Sequence, residues 1–189
     1  NASNQNVQVK TCIYMENSGS MDGYVNLNSE FKDALGKIIV KSNNYSITTD
    51  LFFVNDAIYD VQQTALKGDV NNIVSQLNAS NMKVGATGSS NINKIFKMVL
   101  DKTVNDTVSI LFSDFVYSIK GTDVSSQVSN AKNATMGAFM DAIKRNPNFA
   151  TIILQCSSQF YGKYYDRNDR PIPFVGTRPY YIFVMGPYD

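Results

Sequence analysis

Cys12-Ile13-Tyr14-Met15-Glu16-Asn17-Ser18-Gly19-Ser20-Met21 is the stretch that decides how this chain folds. Its opening apolar run suits a β-strand covered on both faces, and the spacing places that strand over residues 7–15. The chain then turns abruptly to an acid, small hydroxyl residues and glycine. A strand that ends in oxygen-bearing side chains delivers them together at one edge of a sheet.

Working outward, Phe31, Ala34, Leu35, Ile38 and Ile39 recur at helical spacing, which predicts a helix over 29–41 with Asn28 or Ser29 as its cap. Leu51-Phe52-Phe53-Val54 and Ile58-Tyr59-Asp60-Val61 flank a three-residue turn and read as a hairpin. Asp69 can cap a helix carrying Val70, Ile73, Val74 and Leu77, and Ile92, Ile95, Phe96, Val99 and Leu100 mark another opening near Ser90. Between them, Gly85-Ala86-Thr87-Gly88-Ser89-Ser90-Asn91 is small and polar, fit to bring backbone and hydroxyls close to a ligand. A strand follows at 108–114, then a helix over about 123–145 expected to turn Val128, Met136, Phe139, Met140 and Ile143 inward. Strands at 151–156 and 180–185 complete the pattern.

Strands alternating with helices, plus one hairpin, predict an α/β domain: an open, mostly parallel, doubly wound sheet with helices on both faces. In such sheets ligands bind outside the carboxyl ends of the strands, where the winding reverses. Glu16, Ser18, Ser20, Ser90 and Asp114 all fall just past a predicted strand or at a helix start. If the strands ending at Met15 and Ser113 are neighbours, one cation can touch both loops.

The chain has 189 residues, 43% hydrophobic and 17% charged, which fits one domain with a full core. A formal charge of +1 gives no electrostatic reason to expect nucleic acid or an anionic membrane as partner. No apolar stretch reaches the roughly 18 residues needed to span a bilayer. The start at Asn1 implies a longer chain, shortened by loss of an export signal or by trimming, and the Asn, Ser, Thr and Tyr content favours an exported protein. Histidine is absent, which removes Ser-His-acid and Cys-His nucleophiles and imidazole-bound zinc. Cys12 and Cys156 fall on strands expected to be separated by a third, too far for a disulfide.

Glu16-x-Ser18-x-Ser20, Gly88-Ser89-Ser90-Asn91-Ile92 and Leu111-Phe112-Ser113-Asp114 together resemble the von Willebrand factor type A family. That family's metal-ion-dependent adhesion site uses a D-x-S-x-S motif, a Thr in a Gly-rich loop and an Asp after the fourth strand. Two positions depart from the pattern: Glu16 stands for the leading Asp, and Ser90 for the Thr. The family's closing helix after the last strand has no counterpart within these residues. The resemblance implies Mg²⁺, or Mn²⁺ or Ca²⁺, held directly by Ser18 and Ser20, with Glu16 and Asp114 acting largely through water and Ser90 beside them. It also implies a coordination position left for a carboxylate on a protein partner.

Hydroxyls and carboxylates are hard donors suited to such a cation. The longer Glu16 side chain can reach the metal directly, or displace it and bond to the serine loop itself. The blander alternative has Glu16, Ser18 and Ser20 capping the following turn, and Ser90 capping a helix. Residues 157–178 read as an inserted hairpin between the last two strands. Tyr161, Tyr164 and Arg167 on it, with Asp22, are candidate partner contacts, against the alternative that the rings merely cover a sheet edge. The function expected is a cation-dependent adhesion module rather than an enzyme. A metal-dependent phosphoesterase and a scaffold with a degenerate site are the alternatives.

Overall fold

The computed structural model describes residues 9–66, 68–88, 90–117, 123–166 and 170–188. It is an α/β fold built on one six-stranded sheet. Strand β1 (Val9–Glu16) occupies its middle, paired in parallel with β2 (Ser46–Val54) on one side and β4 (Thr107–Ser113) on the other. The short β3 (Ile58–Asp60) returns antiparallel to β2, as the hairpin reading required.

Beyond β4 the sheet departs from expectation. The last two strands, β5 (Phe149–Tyr165) and β6 (Pro171–Pro187), are 17 residues each and form one antiparallel hairpin in unbroken register. β6 lies antiparallel against β4 and β5 is outermost, so the order is β3-β2-β1-β4-β6-β5. Three of the five pairings are antiparallel, and the sheet is mixed rather than mostly parallel. The reason is local. The segment expected as a separate insert at 157–178 continues both strands through alternating side chains, and a hairpin this short at its tip can only pair antiparallel. Two strands, β4 and β6, therefore separate Cys12 from Cys156, and both thiols are free.

Among the described residues, five α-helices flank the sheet: α1 (Asp22–Val25), α2 (Glu30–Tyr45), α3 (Val70–Gln76), α4 (Ile92–Lys102) and α5 (Val124–Arg145). β1 shows why both faces are covered. Ile13 and Met15 enter a core with α1, α2 and α3, whereas Cys12 and Tyr14 enter a second core with α4 and α5. Ser29 caps α2 by accepting from the Lys32 amide, and Asn91 caps α4 by accepting from Lys94. α5 departs from its predicted packing. Phe139 packs tilted against Phe96 and Ala142 is buried, but Val128, Met136, Met140 and Ile143 face solvent. The helix rests on α4 along a narrow stripe, so helical spacing located the helix but overstated the face it buries. Among the described residues no helix is long and apolar enough to cross a membrane.

Candidate functional site

The carboxyl ends of β1 and β4 lie side by side, and the three predicted segments meet there. Glu16 is fully buried at the end of β1. Its Oε1 accepts the Ser18 hydroxyl at 2.8 Å and the Ser90 hydroxyl at 2.5 Å, and its Oε2 accepts the hydroxyl of Ser113. The Ser18 and Ser20 oxygens are 3.1 Å apart. Asp114, also buried, follows Ser113 and accepts the Val116 amide through Oδ1 at 3.2 Å.

A lattice of side-chain amides holds these loops together. Asn17 donates to the carbonyls of Met82 and Val84 at 2.7 and 2.9 Å, and Asn55 donates to Val84 at 2.7 Å. Asp56 accepts the Ala86 amide, and the Gly19 amide reaches the Thr87 carbonyl at 3.0 Å. The 82–88 segment is thereby fixed against the β1 loop, which delivers Ser90 from 74 residues away. Ser18 stands at the start of the 3-10 turn Gly19–Met21 but makes no capping bond with its side chain, and Asn91 rather than Ser90 caps α4. The capping alternative for these serines is therefore not what their hydroxyls do.

Two buried carboxyls this close oppose each other's ionisation. Burial, and then the Asp114 charge, push Glu16 from an ordinary 4.5 to about 7, against the pull of three hydroxyl donors. Burial likewise raises Asp114, although Ser20, the Val116 amide and Arg178 oppose it. Arg178 arrives from β6. Its guanidinium sits over the rings of Phe160 and Tyr164, 4.8 and 5.8 Å from their centres, and ends 4.0 Å from Asp114 Oδ2. That is an ion pair too long for a hydrogen bond. Asp114 Oδ2 and Arg178 Nη1 are each buried without a hydrogen-bond partner.

The donor set fits a hard divalent cation. Ser18, Ser90 and Ser113 direct their protons into Glu16, which leaves the Ser18 oxygen facing Ser20 as an acceptor, and Asp114 adds a buried carboxylate oxygen without a hydrogen-bond partner. No cluster of three His, Cys, Asp or Glu occurs among the described residues, so a cation here would depend on hydroxyls and two acids.

The predicted partner contacts are scattered. Tyr161 is exposed on β5, and its carbonyl accepts from Asn26. Tyr164 is half-buried, engaged with Arg178 and edge-on to Phe174. Asp22 is half-buried at the start of α1, its carboxyl raised by burial despite Lys83 and Lys163 nearby. Arg167 lies outside the described residues.

Sequence reasoning left Ser113, Asn17 and Arg178 out of the site. Alternation along β4 could have flagged Ser113. Nothing local could have flagged Arg178, whose approach requires β6 to lie beside β4. Phe115 also escaped notice. It holds a left-handed backbone at φ 56° directly after Asp114, with its ring half-exposed. That conformation is costly for a bulky side chain and is found at sites where the surroundings enforce it. With Ile92, Tyr117, Val128 and Met136 it lines an apolar groove of about 480 Å³ that starts beside the corner. Compared with known proteins, the chain matches no family model and no curated protein.

Proposed function

We propose that this chain is a von Willebrand factor A-like binding module, which holds one divalent cation, Mg²⁺ or else Mn²⁺ or Ca²⁺, and through it engages a carboxylate on a protein partner. The observation that carries this reading is the buried Asp114 carboxyl, which Ser20 approaches and whose Oδ2 has no hydrogen-bond partner and only a 4.0 Å ion pair with Arg178, beside a Ser18 hydroxyl whose proton is turned into Glu16. Ser18, Ser20 and Asp114 would hold the cation, with Glu16 and Ser90 orienting them. When bound, the cation would neutralise two buried acids and offer a Lewis-acid position to the partner's carboxylate. The role of the chain is to keep hydroxyl lone pairs aligned and water excluded. Tyr164, which packs on Arg178 at the corner, and Phe115, directly after Asp114, would form the rim, with Tyr161 and Asp22 as outlying partner contacts, and the setting would be extracytoplasmic, at a cell surface or in a periplasmic assembly.

One observation favours a second reading, a scaffold with a degenerate site. Glu16 already satisfies three hydroxyls, and a single proton on it relieves the charge conflict with Asp114.

Thermal unfolding in EDTA and in millimolar Mg²⁺, Mn²⁺ or Ca²⁺ separates the two. Binding at about 100 times Kd is worth roughly 2.7 kcal/mol, or about 5–10 °C for a chain of this size. The expected result is such a rise in the parent and none in Ser18→Ala or Asp114→Ala. A parent midpoint unmoved by all three cations would leave the degenerate scaffold.

A further inference from the structure

The other end of the sheet carries an independent inference. β5 is the outermost strand, and from 152 to 155 four consecutive residues are exposed, three of them Ile152, Ile153 and Leu154 at 58, 59 and 46%. Their cross-strand partners show that both faces are open. Ile152 and Leu154 lie opposite Val184 and Ile182 on the α2 side, and Ile153 lies opposite Phe183 on the α4 side. An edge bare on both faces is neither a groove nor a helix seat.

The direction of its amides can be read from the ladder. Asn148 and Asp166, both even-numbered, bond to their β6-side partners Tyr188 and Arg170, and the register between them is unbroken. Even residues therefore point inward and odd residues outward. Gln159 confirms the parity, since its amide turns away from β6 and donates to Glu30 at 2.8 Å. α2 thus closes the edge at Gln159 with a carboxylate. Thr151, Ile153, Gln155 and Ser157 also direct their N–H and C=O groups outward, and β6 is the only strand with which β5 pairs among the described residues.

Edges of this length are ordinarily protected by Lys, Pro or a bulge. Here no charge or proline occurs from Phe149 to Gly162, and the register shows no bulge. The occupant must be a strand, uncharged, and apolar on both faces. β5 itself meets these conditions when run antiparallel about Ile153. Ile153 then meets its own copy, Ile152 meets Leu154, Thr151 meets Gln155 and Ala150 meets Cys156, so from 150 to 156 apolar meets apolar and polar meets polar, and the outer pair Phe149 with Ser157 is mixed. A neutral strand brings no like-charge repulsion to that pairing. A two-fold contact also closes on itself, which an open strand-to-strand stack does not.

We infer that two copies of this chain join β5 to β5 antiparallel about Ile153, which extends the six-stranded sheet through both molecules.

Sedimentation across a concentration series, with amide hydrogen exchange on the same samples, tests this. The expected result is a species of twice the monomer mass, slow exchange at Thr151, Ile153, Gln155 and Ser157, and loss of both in Ile153→Lys at an unchanged melting point when dilute. Ile153→Pro, which removes one outward N–H where no inward bond is lost, should act the same way and guards against a side-chain effect alone. A parent that stays monomeric with fast exchange at those amides, or a dimer that survives both substitutions, overturns the inference. Monomers whose edge amides slow only on adding an unrelated extended peptide would assign the edge to a foreign strand and overturn it equally.

Discussion

The hairpin of β5 and β6 is one continuous element with two unlike halves. Its distal half, residues 158–165 with 171–178, lies over α1 and the oxygen-lined corner. Phe160 is buried edge-on against Tyr24 at 4.9 Å, and Arg178 stacks on Phe160 as it reaches Asp114. Its proximal half, residues 149–157, exposes Ile152, Ile153 and Leu154. Apolar content alone does not separate them, since both are rich in apolar residues. What separates them is what lies underneath: two glycines on facing segments let the distal half descend onto α1, and nothing comparable meets the proximal half. Burial here is decided by whether backbones can approach.

The largest expected effect comes from obstructing that approach. A Cβ at Gly23 would lie 2.3–2.6 Å from three ring atoms of Phe160, and one at Gly162 would lie 2.7 Å from Gly23 Cα. Gly23→Val should therefore lift the distal half off α1. The cost should be about 3 kcal/mol or more, which is roughly 6–12 °C in melting midpoint. The same variant should expose Phe160 and Arg178 and leave the exchange of proximal amides unchanged. Equal loosening of both halves would mean that they are one cooperative unit and that the comparison is wrong.

That contrast also shows which parts of the molecule its sequence discloses. The oxygen cluster was legible because each of Glu16, Ser90 and Asp114 sits at the end or start of a strongly periodic element, and a doubly wound order makes β1 and β4 neighbours. The hairpin was legible at 157–178, but its continuity with the last two strands was not. Thr151 to Cys156 reads as a strand, and nothing in its run tells that position at the sheet's end leaves it bare. Arg178 belongs to the corner only because β6 lies next to β4, and strand order beyond a parallel core is a tertiary outcome with no local signal. α5 gave the same lesson: spacing finds a helix but does not measure how much of its face a neighbour meets.

A smaller effect probes what the distal half encloses. Glu16 holds a proton in the folded, cation-free protein up to about pH 7 but loses it near 4.5 when unfolded. Folding therefore takes up a proton between those values, and stability falls as pH rises from 4.5 to 7, then levels. At 1.36 kcal/mol per unit the total change between pH 4.5 and about 7 has a ceiling of about 3 kcal/mol, and local relaxation should reduce that total to roughly 2 kcal/mol. Glu16→Gln carries no such proton. In EDTA its melting point should exceed the parent's at pH 8 and match it near pH 4.5. Parallel pH profiles for the two proteins would show that Glu16 is ionised throughout and that the corner is less closed than its burial indicates.

The smallest effect belongs to the bare half. Ile152 projects from the outer strand with more than half its surface in solvent, so in a dilute monomer it contributes little to the core. Ile152→Thr keeps a β-branched side chain and the strand preference while removing apolar area. It should move the unfolding free energy by no more than about 0.5 kcal/mol at low concentration. At high concentration the same substitution should weaken self-association, because in the antiparallel pairing Ile152 meets Leu154 of the second copy. An energetic cost that is small when dilute and grows with concentration locates the missing contact outside the monomer. A cost of 2 kcal/mol or more in dilute solution would instead mean that the proximal half is covered within a single chain, as the distal half is.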